Sequence, residues 1–379
     1  MRAARQAVWL LLGIFAAAAG ARAQSQPGPI APKPGVPVQQ AAPEKTPKLV
    51  IRVNLVNTPV TVHDEHGEMV TNLDQKDFRV FDDGIEQAIT HLDMGGDPLS
   101  LVLLVENSSR IEALLPAIRK SGIVFTQTVM GPTGEAAVVS MSDSIDKLVD
   151  FTGDADRIER AVTRLKEGSS GLRLYDGMSA AVEMLLSRPM SATGSGRRRV
   201  ILVLSEALDK GSERGLGEVL RTAQLANVTI YSVGLSTTAA ELRATPREVA
   251  PQITPPGTFG RPPVPGTPQT PTTEAQRDAN MDLLALAIWA IEHAKSKVKD
   301  HPLEVSAVAT GGMHMATFKD RSIETALDQV GAELHSQYSL AYRPRGVSPV
   351  GYHEIKVEVL RERVKVRARP GYYLEPPES

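Results

Sequence analysis

The first patterned stretch of the chain begins at Leu49. Residues 49–56 and 60–62 have β-type composition, 65–68 supply a turn before Met69 and Val70, and 78–81, 82–84 and 85–87 read as strand, turn and strand. This block predicts β-structure alone. At Leu99 the texture changes, because Leu99-Ser100-Leu101-Val102-Leu103-Leu104-Val105 is nearly continuous in apolar residues, as a strand buried on both faces of a parallel sheet requires. Similar runs recur at 136–141, 200–204 and 228–233, and amphipathic helical stretches fall between them at 110–129, 154–166, 175–187 and 215–226. Strand and helix in repeated alternation predict an α/β fold around a doubly wound, mostly parallel sheet.

The pattern breaks at 244–273, where Pro, Thr and Gly dominate and no core-forming periodicity exists, so an insertion without a core is expected there. Helical periodicity returns over 274–297, with Leu283, Leu284, Leu286, Ile288 and Ile291 on one broad face bordering Trp289, as for a helix packed on its own domain. Residues 303–310, Gly311-Gly312, a strand over 313–318 and a helix over 323–334 close the α/β pattern. Three β stretches then follow, at 338–342, 353–360 and 364–368. The two β blocks, 49–95 and 335–379, flank an α/β domain spanning 96–334. Each is too small to bury a core alone, which predicts that they pair into one small β domain.

Ahead of these elements, Arg2 and Arg5 precede an apolar stretch over 7–20 and the small-residue triplet Ala21-Arg22-Ala23, the pattern of a cleaved secretory signal over 1–23. That apolar stretch is shorter than the roughly 20 residues of a membrane span, so no stable membrane insertion is expected after cleavage. A Pro/Gln-rich linker covers 24–48, and the expected location is periplasmic or secreted. The chain contains no cysteine, which excludes disulfides, a thiol nucleophile and thiolate metal sites. Its net charge of −2 argues against a nucleic-acid partner.

Four stretches, taken in order and spacing, carry a family resemblance. They are Asn72-Leu73-Asp74-Gln75-Lys76-Asp77-Phe78-Arg79-Val80-Phe81-Asp82-Asp83-Gly84, Leu174-Tyr175-Asp176, Thr310-Gly311-Gly312, and Gln337-Tyr338 with Val366-Arg367-Ala368-Arg369-Pro370-Gly371-Tyr372-Tyr373. The mature chain resembles the von Willebrand factor type A-related family of exported bacterial proteins, many of them from acidobacteria. The resemblance implies a metal-ion-dependent adhesion site at the carboxyl ends of the central strands. An intact site has Asp-x-Ser-x-Ser after the first buried strand, a Thr before Leu-Tyr-Asp and an Asp after the fourth strand, together holding Mg²⁺ through oxygen ligands. Here the matching positions are Glu106, Ser108, Arg110, Leu172 and Glu206. One ligand is kept, two carboxylates are one methylene longer, and an apolar group and a cation replace the remaining two. The resemblance thus implies a degenerate site with no cofactor, in which Glu106, Ser108 and Glu206 are the positions still able to ligate.

Other chemical signals are weaker. The eight histidines show no paired spacing, and ordinary surface or partly buried roles are expected of them. Asp82-Asp83-Gly84 reads as a hairpin turn, lacking the alternating carboxylates and distal Glu of a calcium loop. Ser108-Ser109 has no hydrolase frame. Arg197-Arg198-Arg199 and the alternating Arg361, Arg363, Lys365, Arg367 and Arg369 read as solvated faces. The expected function is a non-catalytic binding or scaffolding module for a protein partner. Two other readings stay open at this point: metal-dependent adhesion through Glu106, Ser108 and Glu206, and an enzyme with a Glu106/Glu206 acid pair.

Overall fold

The computed structural model describes residues 55–95, 98–188, 197–235, 283–292, 301–317, 320–345 and 349–374. The signal segment 1–23, the linker 24–48 and the insertion 244–273 lie outside them, as does the Trp289 side chain. Four short strands come first: β1 (Val56–Asp64), β2 (Phe78–Asp82), β3 (Ile85–Gln87) and β4 (Ile89–Met94). Asp83 and Gly84 join β2 to β3 with left-handed backbone at both positions (φ 48° and 78°), the conformation that an Asp-Gly pair favours in a two-residue hairpin.

The α/β unit runs through β5 (Leu99–Glu106), α1 (Leu115–Val124), β6 (Glu135–Met141), β7 (Ile145–Thr152), α2 (Ala155–Thr163), α3 (Leu174–Leu186), β8 (Arg198–Ser205), α4 (Leu216–Leu225) and β9 (Val228–Leu235). It continues through α5 (Leu283–Glu292), α6 (Pro302–Thr310), β10 (His314–Thr317) and α7 (Asp320–Ser336). The chain closes with β11 (Tyr338–Tyr342), β12 (Gly351–Val359), β13 (Val364–Ala368) and β14 (Gly371–Leu374).

The central sheet has the order β10-β9-β8-β5-β6-β7, with every pairing parallel except that of β7. Strand β5 is buried along its whole length because its successive side chains feed two different cores. Val102 and Leu104 join α3, α4, α5 and α6 residues such as Met178, Leu220, Ile291 and Leu303. Leu101, Leu103 and Val105 join Ile118, Ile158 and Leu327 on the opposite face. Each such side chain contributes about 1.5–3 kcal/mol on full burial, so a charge at Leu103 would break the sheet's attachment to α1 and α7.

Two local expectations are corrected. The helix anticipated over 110–129 is divided into a 3-10 turn (Ser109–Leu114), α1 and a wider π turn (Phe125–Met130). Strand β7, which has no counterpart in the sequence reading, is a half-exposed antiparallel edge without the buried run that marks the other strands.

The flanking strands form two antiparallel sheets, β13-β1-β11-β4 and β14-β12-β2-β3. Amino- and carboxyl-terminal segments are interleaved in both, since β1 pairs with β11 and β13 while β2 pairs with β12. Val60, Phe78, Val80, Leu340, Tyr342 and Ile355 are buried between them, and Phe78 meets Tyr338 edge-to-face at 5.2 Å.

The solvated-face reading of the arginines fails at Arg369. This side chain is 4% exposed and donates through Nε to the Gly371 carbonyl (2.7 Å), through Nη1 to Asn227 Oδ1 (2.6 Å) and through Nη2 to the Gln224 carbonyl (2.6 Å). It fastens the chain between β13 and β14 to the carboxyl end of α4, and desolvation pushes its guanidinium down to about 10. Arg197 and Arg199 are likewise engaged, Arg197 with Ser100 Oγ and the Leu99 carbonyl and Arg199 with the Ala226 carbonyl.

Candidate functional site

Strands β5 and β8 lie side by side in parallel, in register through Val105 and Leu204. Their carboxyl ends open the crevice where α/β sheets generally hold ligands, and both apolar runs end there on a polar residue, Glu106 and Ser205. Glu106 is fully buried and each of its oxygens is met by two donors. Oε1 accepts from Ser108 Oγ (2.5 Å) and Arg110 Nη2 (3.5 Å), and Oε2 accepts from Ser205 Oγ (2.7 Å) and the Glu206 amide (2.8 Å). The Ala207 amide donates to Ser205 Oγ at 2.9 Å, and Ala207 takes left-handed backbone (φ 67°) to turn the chain across the strand end. Such a conformation costs a non-glycine residue on the order of 1 kcal/mol, which these hydrogen bonds offset.

Arg110 completes the cluster. Its Nε lies 3.4 Å from Glu206 Oε2 and its Nη2 donates to the Leu208 carbonyl at 3.2 Å. Side-chain exposures of 11% for Arg110, 0% for Glu106 and 4% for Glu206 place all three charges where water screens little. Two carboxylates in such a place need a counter-charge, and the guanidinium supplies it.

Neighbouring loops hold this arrangement. Asn107 Nδ2 donates to the Lys166 carbonyl (2.9 Å), while the Gly168 and Ser109 amides donate to the carbonyls of Asn107 (2.7 Å) and Ser169 (3.1 Å). The approach is close at Gly168, where a Cβ would lie 2.6 Å from Ser142 Oγ and 3.0 Å from Asn107 Nδ2, so that a larger residue would have to displace those side chains. On the other side, Asp209 Oδ1 accepts from the Leu174 amide (2.8 Å) and Ser212 Oγ (2.6 Å), capping the start of α3 from the loop after β8. Asp176 returns the tie, accepting from the amides of Glu213 and Arg214 (both 3.0 Å) and from Arg173 Nε (2.9 Å).

Of the five residues that the sequence points to, the structure brings together Glu106, Ser108, Arg110 and Glu206. Leu172 stands apart from them chemically: its side chain is fully buried in the apolar core, and its carbonyl accepts from the Lys210 and Gly211 amides. Ser205, the Glu206 amide and the Leu208 carbonyl are additions. Their signal in the sequence is faint, a hydroxyl at the end of a buried run whose importance depends on which strand lies next to it.

A hard divalent ion of the Mg²⁺ type asks for about six oxygens near 2.0–2.1 Å. Glu106 has committed both oxygens to four donors, Ser108 turns its hydroxyl hydrogen toward Glu106, Leu172 presents carbon, and a guanidinium stands between the two carboxylates. These residues do not fit such an ion.

Residues 101–208, from within β5 to the turn after β8, match the family model described as von Willebrand factor type A domain. Similar solved structures include BatB from Bacteroides thetaiotaomicron, at 12% identity and TM-score 0.37 over 62% of this chain and 98% of that one. An aerotolerance-related membrane protein from Bacteroides fragilis is similar at 10% identity and TM-score 0.36 over 62% and 99%. Proximal thread matrix protein 1 from the mussel byssus is similar at 12% identity and TM-score 0.41 over 67% and 51%. No curated protein matches the chain. The fold is α/β with a central, mostly parallel sheet, as in a type A domain, and carries two added antiparallel sheets from its terminal segments.

Proposed function

We propose that this chain is an exported, non-catalytic binding or scaffolding module that holds a protein partner at the strand-end face of its α/β unit, without a divalent cation. One observation carries the reading: Arg110 stands between Glu106 and Glu206, within 3.5 Å of the first and 3.4 Å of the second. In a type A domain a metal ion at this place receives an acidic group of the partner. Here a fixed guanidinium supplies positive charge and asks for no metal. Export rests on the signal pattern over 1–23. Among the described residues no helix is long and apolar enough to cross a membrane.

The acid-pair enzyme reading is disfavoured by the same geometry. A general acid or base needs a carboxyl oxygen within reach of substrate, and both oxygens of Glu106 are occupied in a fully buried position. A photo-cross-linking residue placed at Glu213, on the strand-end rim, tests the binding role against the same residue at Leu225, at the opposite end of α4. Capture of one partner from Glu213 alone, unchanged by a chelator, is expected. Capture from Leu225 alone, or its loss on chelation, would overturn the reading.

A further inference from the structure

The β2–β3 hairpin carries a second cluster, unrelated to the strand-end crevice. Asp82 is the last residue of β2, Asp83 follows in the turn, and His353 on the neighbouring strand β12 meets both. The imidazole is 2% exposed and stacks on Tyr372 with ring centroids 5.0 Å apart. Its Nδ1 lies 2.7 Å from Asp83 Oδ2 and 3.9 Å from Asp82 Oδ1. Its Nε2 lies 2.8 Å from the Pro349 carbonyl oxygen, which can only accept, so that nitrogen carries a hydrogen.

The two carboxylates are oriented just as firmly. Tyr342 and Tyr372 hydroxyls both donate to Asp82 Oδ2 at 2.9 Å, and the Glu354 amide donates to Asp83 Oδ1 at 2.9 Å. The remaining oxygen of each carboxylate is the one nearest Nδ1. With Nε2–H committed to Pro349, a neutral imidazole would set a lone pair against a carboxylate lone pair at 2.7 Å. A shared proton or a cation has to lie between them. A proton on Nδ1 serves the Asp83 contact but does not reach Asp82 Oδ1, whose carboxylate is 6% exposed and therefore largely stripped of water.

We propose that His353 Nδ1, Asp83 Oδ2 and Asp82 Oδ1 form a binding site for a first-row divalent cation of the zinc type. One ligand atom from each of the three residues lies within 4.8 Å of the other two, a spacing that small side-chain shifts bring onto one ion. Imidazole nitrogen with carboxylate oxygen is a donor set that zinc accepts. The outer hydrogen bond from Nε2–H to a main-chain carbonyl is the usual support for a metal-bound histidine. Asp83 is half exposed, so an ion held here keeps a coordination position toward solvent, open to water or to a donor from another molecule. The set joins residues some 270 apart in sequence and has no local motif.

Calorimetric titration of the full mature chain with Zn²⁺, after dialysis against a chelator, tests the site. One equivalent bound at micromolar strength is expected, weakened about tenfold or more by His353→Gln and by Asp83→Asn, and unchanged by His66→Gln, which removes an exposed histidine. Visible absorption of the Co²⁺-loaded chain should weaken in parallel. Should His353→Gln fail to fold, the exposed Asp83→Asn variant decides the matter. Wild-type protein that binds Zn²⁺ no better than millimolar, or an Asp83→Asn variant that binds as tightly as its parent, would overturn the proposal.

Discussion

Arg110 Nε lies 3.4 Å from Glu206 Oε2, although the two residues belong to turns following different strands. Removing the guanidinium would leave Glu206 and the fully buried Glu106 facing each other without compensation. Arg110→Ser should therefore destabilise the protein by about 3 kcal/mol, the scale for breaking a buried pair from one side. Urea unfolding followed by circular dichroism reads this directly, and a variant as stable as its parent would remove the counter-charge role.

Arg110→Ser combined with Leu172→Thr restores two hydroxyls at the positions where an intact adhesion motif carries them. Added Mg²⁺ should then raise the double variant's melting temperature, by linkage between binding and folding. Wild-type protein should not respond, since its carboxylates are already occupied. Calorimetry showing tight Mg²⁺ binding to the wild type would contradict the cation-free reading.

Arg369 holds three acceptors with one planar fork, and two of them are main-chain carbonyls, those of Gln224 in α4 and Gly371 in β14. Arg369→Met leaves buried acceptors without donors and should cost about 3 kcal/mol. Arg369→Lys should recover little, because a single ammonium cannot span the same acceptors. Chemical denaturation of the three proteins side by side ranks them, and equal midpoints would show that the clamp is idle.

His314 at the start of β10 gives the fold an acid-sensitive point. Desolvation holds its imidazole below the ordinary range, opposed by Glu304 and assisted by His301. A proton then binds the unfolded chain more readily than the folded one. This group's contribution is complete above the unfolded value of about 6.5 and is lost as pH falls through that value toward the depressed folded one. Burial acts against Glu304, yet the His301 hydrogen bond and the His314 charge hold its carboxyl below the usual range, so its own loss comes at more acidic pH. Comparing unfolding midpoints near pH 7.5 and about pH 5.5 should show a fall in the wild type that His314→Gln reduces. An equal fall in both proteins would shift the cause elsewhere.

What could be read from the sequence follows how each residue is buried. Leu99 to Val105 announce a central strand because both faces need apolar side chains, whereas Ile145 to Thr152 lie at an edge where polar residues are tolerated and no pattern marks them. Glu106, Arg110 and Glu206 stand out as departures from a motif. Ser205 does not, since its bond to Glu106 depends on β8 being the neighbour of β5, a fact of topology. Arg369 is hidden in another way: it continues an alternating basic stretch whose first members Arg361, Arg363 and Lys365 are exposed, while Arg367 is half-buried against Glu333, and its inward turn comes one residue after the strand ends.

The interleaving of the terminal strands has a consequence in time. Strand β1 emerges during synthesis long before β13, which pairs Val60 with Ala368 roughly 300 residues later, on the order of 15–60 s at ordinary elongation rates. Until β11 and then β13 are made, the residues of β1 ahead of its local bridge to Met69 have no native strand partner, and a waiting Val/Thr strand is a template for a neighbouring chain. Pro59, in the middle of β1, has no amide hydrogen to offer. It interrupts the waiting edge, and so makes the nascent strand a poor seed for aggregation while its own partners are still unmade.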